Sequence, residues 1–276
     1  MREQDVNPKV WLHYLAIKNN GKWADIFRDL CSETVISPST LDRYENDGTN
    51  YVVFMDEGYP ITLSKKAQPP FLIYYNGNID LIKDENRLMS ILNDNLATMY
   101  AYEATEDLCL ELIGKMIFVI QFGQKRNNDL IEYLINHDAD VVAVLDRGID
   151  VYDKEYIELY QKLITNHLVI SEFPPTVIER TPYTSKSAVK LLSSVSKMLL
   201  VGGLNSRTVQ NCGIGYAVRN GTIVMCAPYT SRSKYENNKL IKQGAYLVEY
   251  GDDVLEVLKR VKEKENWEET LRQSIN

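Results

Sequence analysis

The chain has 276 residues, of which 45% are hydrophobic and 25% charged, and its formal net charge is -7. No run approaches the ~18 apolar residues that a membrane span requires, and the first ten residues lack the apolar core of a signal peptide. Four scattered cysteines without a C-x-x-C pair, together with only three histidines, exclude a zinc site of recognised spacing. We therefore expect a cytoplasmic protein with reduced cysteines and no bound metal.

Residues 1–57 are predicted to form a small helical N-terminal domain. Apolar residues at helical spacing, and a predicted N-cap at Ser39, indicate three short helices. Residues 58–83 follow as an extended linker or strand that leads into the core. Pro69-Pro70 forces an extended entry into this segment, and Asn76-Gly77 is a turn signal at its end.

Residues 84–276 are predicted to form a Rossmann-like core, because short apolar runs alternate with helical periods throughout. The clearest strand is Val141–Leu145, an unbroken apolar run that stops at Asp146 and is typical of a strand buried on both faces. A helical period from 156 to 164 and a second apolar run at 168–170 complete a βαβ unit. The predicted fold class is α/β, a doubly wound, mostly parallel sheet with a small N-terminal helical domain.

The alternation continues on both sides of this unit. The other predicted core strands are Leu88–Leu92, Met116–Ile120, Met198–Val201, Thr222–Ala227 and Tyr246–Glu249. Ligands of open α/β sheets bind at the carboxyl ends of the strands, so the loops that follow these runs are the predicted site.

Charge is distributed unevenly along the chain. Between Thr181 and Tyr250 there are nine lysines and arginines but only two acids, a net charge of +7 that leaves -14 for the remainder. The segment from Arg180 to Lys190 is polar and basic. The global charge argues against a nucleic-acid binder, whereas this local excess favours an anionic ligand; a merely solvated basic face is the alternative.

Enzymatic signals are weak. Gly202-Gly203 and Gly213-x-Gly215 complete neither the dinucleotide fingerprint nor the P-loop, so we expect no nucleotide cofactor. Four carboxylates fall at predicted strand ends and are interpreted as loop caps: Asp146, Asp150, Asp153 and Glu172. The three histidines do not assemble into a nucleophilic triad, and we predict no catalytic residue.

A series of landmarks runs in one order through about 190 residues, from Tyr59 to Val248. They are Tyr59-Pro60, Leu63, Pro69-Pro70, Leu72, Tyr74, Gly77, Ala143-Val144-Leu145, Gly148, Asp150, Tyr152, Ser171-Glu172, Pro174-Pro175, Ala227-Pro228, Asn238, Leu240-Ile241 and Gly244-Ala245. Together they resemble the DprA/Smf family, the DNA-processing proteins of natural transformation.

The departures from the family pattern fall in the loops at the predicted strand ends. Asn93-Asp94-Asn95 stands where the family has Gly-Ser-Arg, and the run from Gln121 to Asn128 replaces its Ser-Gly-x-Ala-x-Gly-Ile-Asp segment with the following Ala-His. Gly202-Gly203 stands where the family has Glu-Ala. Glycines at such loops let the backbone approach a phosphate, and arginine pairs with it. The scaffold is therefore retained while the loop chemistry has changed.

The resemblance implies a single-stranded DNA-binding protein without catalysis, which protects incoming DNA and assists RecA loading, and which forms a homodimer. The candidate DNA-binding residues are Asn95, which replaces the family arginine, the cations Lys125, Arg126, Lys186, Lys190, Arg207, Arg232 and Lys239, and the base-stacking rings Phe122 and Tyr183. Tyr229 and Tyr235 are further candidates for stacking. Two alternatives stay open: a nucleotide-processing enzyme on a Rossmann-like scaffold, and a degenerate paralogue that acts through protein contacts alone.

Overall fold

A computed structural model describes residues 7–32, 37–94, 99–204, 210–229 and 236–275. Its strands form one nine-stranded sheet in the order β1-β2-β6-β5-β4-β3-β7-β8-β9. They are β1 (Tyr51–Val53), β2 (Leu72–Gly77), β3 (Leu88–Leu92), β4 (Ile117–Gln121), β5 (Asp140–Val144), β6 (Leu168–Ser171), β7 (Met198–Val201), β8 (Ile223–Cys226) and β9 (Tyr246–Leu247). The strands from β3 to β9 pair in parallel. The predicted mostly parallel α/β fold is confirmed.

Helices cover both faces of this sheet. They are α1 (Pro8–Lys18), α2 (Trp23–Cys31), α3 (Pro38–Glu45), α4 (Ile61–Ser64), α5 (Met99–Leu110), α6 (Lys125–Asn136), α7 (Ile157–Asn166), α8 (Pro182–Val195), α9 (Gln210–Arg219), α10 (Asn237–Lys242) and α11 (Gly251–Ile275). Buried residues of α5, α6, α7 and α11 share one core cluster, and those of α4, α8 and α9 share the other. The molecule is therefore a three-layer, doubly wound structure.

Strand β5 lies in the interior of the sheet, between β4 and β6. Val141 and Ala143 belong to the cluster on one face, whereas Val142 and Val144 belong to the cluster on the other. All four side chains are fully buried. This placement confirms the prediction that an unbroken apolar run marks a strand covered on both faces.

The polar, basic segment from Arg180 to Lys190, for which the sequence analysis predicts no helix or strand, is largely helical. Most of it forms the first half of α8, whose start is fixed by a capping box between Thr181 and Thr184 and by Pro182 in the first turn. The apolar side of the helix, including Leu191 and Leu192, is buried. Polar residues dominate the first two turns, so the helical period is visible only further along the chain.

The segment 58–83 is more than a linker, because it contributes β2 to the core sheet. β2 pairs antiparallel with β6, with Tyr74 opposite Ser171, and β1 pairs antiparallel with β2. The N-terminal helices pack on this extension. His13 of α1 is buried and has a hydrogen-bond partner at each ring nitrogen. Its Nδ1 is 2.9 Å from the Tyr74 hydroxyl, and its Nε2 is 2.8 Å from Asp47 Oδ2. The N-terminal unit is thereby attached to the edge of the sheet formed by β1 and β2.

Within the described residues, no helix is both long enough and apolar enough to cross a bilayer.

Candidate nucleic-acid interface

The direction of the strand order changes at β3. The chain passes from β3 to β4, β5 and β6 on one side, and then crosses back to β7, β8 and β9 on the other. The carboxyl ends of β3 and β7 therefore flank a topological switch point, which is the usual ligand crevice of an open α/β sheet. Asn93 and Asp94 follow β3 at this place, and Gly202 and Gly203 follow β7.

Backbone and side-chain hydrogen bonds join the two loops of the switch point. The Asp94 amide donates to the Gly203 carbonyl at 2.8 Å, and the Gly203 amide donates to Asn93 Oδ1 at 3.2 Å. A Cβ on Gly202 would overlap Asn93 Oδ1 and Thr105 Oγ1. Glycine at 202 is therefore required by the side chains of Asn93 and Thr105 and not by an unusual backbone angle.

Asn237 lies at the bottom of the crevice and binds the backbone at the end of β7. It is fully buried, and its Nδ2 donates to the carbonyls of Val201 at 3.0 Å and Gly202 at 2.9 Å. The Tyr229 hydroxyl also donates to the Gly202 carbonyl, and the exposed ring of Tyr100 lies edge-on to Tyr229 with centroids 5.9 Å apart. Among the described residues, Asn93 Nδ2 and Asn237 Oδ1 have no hydrogen-bond partner. The crevice thus contains one buried amide donor and one buried amide acceptor that the described residues do not satisfy.

Two arginines lie on the β6 side of the switch point, around Gly123. Arg180 Nε donates to Asp146 Oδ2 at 2.6 Å, and its Nη2 donates to the Gly123 carbonyl at 3.3 Å. Arg147 Nη1 donates to Asp153 at 3.0 Å, and its Nε lies 3.8 Å from Asp146 Oδ1. The bond from Arg147 lowers the pKa of the Asp153 carboxyl. We call Arg147 and Arg180, with Asp146 and Gly123, the arginine cluster.

The arginine cluster was missed by the sequence analysis. Asp146 is buried, whereas the Arg180 side chain is 41% exposed and the Arg147 side chain 12%. The available signal was Asp146 itself, a carboxylate that directly follows a buried apolar run. A buried carboxylate at a strand end requires a cationic partner, but only the fold brings residue 180 beside it.

The loops after β5 and β6 are locked together next to the cluster. Gly148 donates to the Val177 carbonyl at 2.8 Å, and Ile149 donates to the Phe173 carbonyl at 3.1 Å. A Cβ on Gly148 would overlap the Pro174 carbonyl. The landmarks Gly148 and Pro174-Pro175 thus belong to one packed turn that holds Arg147 in place.

Those predicted cations that the structure describes lie on helices that follow strand carboxyl ends. Lys125 is exposed and pairs with Asp129 at 2.9 Å, and Arg126 lies over the Tyr102 ring at 5.8 Å from its centroid; both are in the first turn of α6. Lys186 is exposed on the second turn of α8. These three cations therefore lie at the carboxyl edge of the sheet. Their contact with DNA stays a prediction.

Two predicted cations have partners within the protein. Lys190 donates to the Gln68 carbonyl at 2.8 Å, so it connects α8 to the segment before β2. Lys239 of α10 pairs with Glu236 at 3.1 Å and stays 65% exposed. Three further predicted residues, Asn95, Arg207 and Arg232, lie outside the described residues, as does Tyr235.

The predicted aromatic residues differ in exposure. Phe122 is 1% exposed and packs edge-on against Tyr156 and Tyr160, so its assignment as a base-stacking ring is corrected to a core residue. Phe122 follows β4 directly, and the turn at Gly123 directs it inwards. Tyr183 is 41% exposed, and its hydroxyl accepts a hydrogen bond from the Trp23 amide at 3.1 Å. Tyr229 is also buried. The neighbouring ring of Tyr100 is exposed and is the candidate for base stacking at this position.

Three of the four strand-end carboxylates bind side chains of neighbouring loops and helices. Asp146 and Asp153 bind the arginine cluster, while Asp150 accepts hydrogen bonds from Asn76 at 2.7 Å and Tyr160 at 3.1 Å. Glu172 is the exception, because its Oε1 is buried without a partner among the described residues and burial raises the pKa of the carboxyl to about 7. No group of three or more metal-ligating side chains occurs in the described part of the chain.

Comparisons with known proteins agree with this geometry. A family model for DNA recombination-mediator protein A matches residues 50–259. The chain is 22% identical over 204 residues to the DNA processing protein DprA of Streptococcus pneumoniae, and the alignment covers 73% of this chain and 71% of that protein.

Two solved structures share the fold. The X-ray structure of DprA from S. pneumoniae superposes with a TM-score of 0.73 at 19% identity, covering 89% of this chain and 92% of that one. The structure of DNA processing protein A from Helicobacter pylori, which describes that protein's single-stranded DNA binding mode, superposes with a TM-score of 0.66 at 16% identity and covers 77% of this chain and 97% of that one. Since the family model spans most of the chain, from β1 to the first part of α11, the protein belongs to the DNA recombination-mediator protein A family.

Proposed function

We propose that the protein binds single-stranded DNA along the carboxyl edge of its sheet. The observation that carries the proposal is the arginine cluster, which brings two guanidinium groups to Gly123 in a family whose H. pylori member is described with a single-stranded DNA binding mode. The family's Gly-Ser-Arg arginine is absent from this chain, and Arg180, supported by Arg147 through Asp146, is the cation that takes its place.

Arg180 can bind a phosphate without breaking its existing contacts. Its Nε is used by Asp146 and its Nη2 by the Gly123 carbonyl, which leaves other N–H groups of an exposed guanidinium for a DNA phosphate. Asp146 holds the guanidinium in one orientation, so less conformational entropy is lost on binding. Arg147, which is nearly buried, acts mainly as the second support of Asp146.

Exposed rings provide surfaces for bases on both sides of the crevice. Tyr183 lies three residues from Arg180, and Tyr100 lies beside the switch point. Stacking on an aromatic ring contributes about 1–3 kcal/mol per base and tolerates any sequence.

We extend the proposal to RecA loading and to a homodimer. The family description as a recombination mediator supports the first. The second is supported by β9, which ends the sheet with exposed Tyr246 and Leu247 and with an unpaired strand edge. Sedimentation velocity on Leu247→Lys and the native protein tests the dimer. The rate of RecA filament formation on oligonucleotides precoated with the protein tests the loading.

Filter binding with oligo(dT) and with a duplex of equal length, at several salt concentrations, tests the central proposal. We expect preference for the single strand and a log-log salt slope of about -0.7 for each phosphate contact. The absence of single-strand binding at low salt would reject the proposal. The enzyme alternative draws no support from the described carboxylates, because three of the four are bound to partners within the loops.

A further inference from the structure

A second cavity lies at the opposite edge of the sheet, near the amino ends of β7 and β8. It has a volume of about 300 Å³. The lining residues are Thr62, Lys65, Lys66, Glu85, Lys197, Asn220, Gly221, Thr222, Ile223 and Val261. β7 and β8 each contain four residues, and a strand rises about 3.3 Å per residue, so roughly 13 Å separates this cavity from the carboxyl edge.

The charges around this cavity are unbalanced. Its charged lining residues in the described part of the chain are three lysines and one glutamate, which gives a local charge of +2. Lys197 Nζ lies 3.2 Å from Glu85 Oε1 and also donates to Asn86 at 3.2 Å. The single carboxylate is therefore already engaged by one of the three ammonium groups.

The ammonium group of Lys66 is partly desolvated and lies near a second positive charge. Its side chain is half-buried, and the partner of its ammonium is the Asn220 carbonyl at 3.2 Å. Burial and the neighbouring charge of Lys65 lower the pKa of Lys66. An ammonium donates three hydrogen bonds, so this group has capacity for an anionic acceptor that would also offset its desolvation.

Glu85 provides an acceptor in the same cavity that needs a hydrogen-bond donor. Its side chain is 19% exposed, and its Oε2 is buried without a hydrogen-bond partner among the described residues. A buried acceptor without a partner is costly, and it is satisfied by a hydroxyl or amine. The cavity therefore suits a ligand that carries both an anion and a neutral or cationic donor.

We propose that this cavity binds a small phosphate monoester that bears a hydroxyl or amino group. A phosphate monoester carries about -1.5 to -2 charges near pH 7, which balances the +2 of the three lysines and Glu85. The volume lies at the lower end of the range for small-molecule sites, roughly 300–1,000 Å³, so it suits a single sugar phosphate or nucleoside monophosphate. The proposal is independent of the DNA interface, because it uses other residues at the opposite edge of the sheet.

Isothermal titration calorimetry on the full chain tests this proposal with three titrants: inorganic phosphate, thymidine 5′-monophosphate and thymidine. We expect both phosphates to bind and thymidine not to bind. Lys65→Gln and Lys66→Gln should each weaken binding of the monophosphate about tenfold or more, the effect of a lost charge-assisted hydrogen bond. Lys162→Gln is the matched control, because it removes a half-exposed lysine on α7. Lys65 is exposed, so its variant is expected to fold.

The same preparations are titrated with oligo(dT) that does or does not carry a 5′-phosphate. Unchanged oligonucleotide affinity in the Lys65 and Lys66 variants supports a separate small-molecule site. Weaker oligonucleotide binding in these variants would assign the cavity to DNA and overturn the proposal. Equal phosphate binding in all three lysine variants, or none in the native protein, would also overturn it. If the native protein binds the monophosphate but no DNA, the DNA proposal fails and this one stands.

Discussion

The side-chain oxygen of Asn93 occupies the place in which a Cβ on residue 202 would lie. The DprA/Smf pattern has glycine at the first position and glutamate at the second, and this chain has Asn93 and Gly202. We therefore expect the two departures to be coupled, because a side chain at 202 and the side chain of Asn93 would occupy the same space.

A double-mutant cycle tests this coupling. Gly202→Ala should destabilise the protein by about 1–3 kcal/mol, because the added methyl group overlaps Asn93 and the core cannot shift freely. In the background of Asn93→Gly, the same substitution should cost less, because the overlap with Asn93 is removed while the overlap with Thr105 Oγ1 remains. Urea unfolding of the four proteins gives the interaction free energy. Additive effects would show that the loop relaxes and that the substitutions are independent.

The arginine cluster gives a second prediction. Arg180→Gln alone would leave Asp146 buried with a weaker partner, so the informative protein is the double variant Asp146→Asn with Arg180→Gln. Its affinity for oligo(dT) should fall about tenfold or more, and its log-log salt slope should become shallower by about 0.7. Lys162→Gln should change neither quantity. If the double variant matches the native protein while remaining folded, DNA does not contact this cluster.

Restoring the family motif gives a third prediction. Replacing Asn93-Asp94-Asn95 with Gly-Ser-Arg removes one negative charge and adds one positive charge at the switch point. The variant should bind single strands more tightly, with a salt slope steeper by about 0.7, since one phosphate contact is added. Asn93→Gly alone separates the effect of charge from that of the altered loop. Identical affinity and slope, with an intact circular dichroism spectrum, would indicate that DNA does not pass this loop.

Glu172 makes stability depend on pH. Burial raises the pKa of its carboxyl from 4.5 to about 7, so the folded protein binds more protons than the unfolded chain between these values. Its contribution to stability is fully present below pH 4.5 and is lost as the pH rises through 7. A shift of this size corresponds to about 3 kcal/mol. Glu172→Gln should therefore raise the melting temperature more at pH 8 than at pH 5, and an equal effect at both would contradict this assignment.

The capping box of α8 gives a stability prediction with a matched control. The Thr181 hydroxyl accepts from the Thr184 amide at 3.1 Å, and the Thr184 hydroxyl accepts from the Thr181 amide at 2.9 Å. Thr181→Ala should lower the free energy of unfolding by about 1 kcal/mol, whereas Thr181→Ser should retain most of it. Urea titrations of the three proteins measure the difference. A loss in the serine variant equal to that in the alanine variant would assign the effect to the methyl group.

The fold was largely accessible from the sequence because its strands carry simple signals. Val141–Leu145 and Leu88–Leu92 are continuous apolar runs between polar loops, and both lie in the sheet interior. The start of α8 was not accessible, since its cap is made by two threonines and its first turns are polar. Local periodicity does not report an element whose buried face begins only in its second half.

The site was less accessible, because it depends on contacts between distant loops. Arg180 reaches Asp146 across 34 positions. Phe122 looked like an exposed ring on a rewritten loop, but the turn at Gly123 buries it. A residue's position at a strand end therefore predicted the edge of the sheet on which it lies, whereas its exposure and partners were set by tertiary packing.

The antiparallel strand β2 also affects the order in which the molecule can assemble. Tyr74 pairs with Ser171, which lies 97 positions later in the chain. During synthesis, β1, β2 and the helices that pack on them leave the ribosome well before β6 exists. Pairings so distant in sequence slow folding and leave unpaired edges exposed in the meantime. The N-terminal unit must therefore wait, without its sheet partner, until the βαβ unit of β5 and β6 has been made.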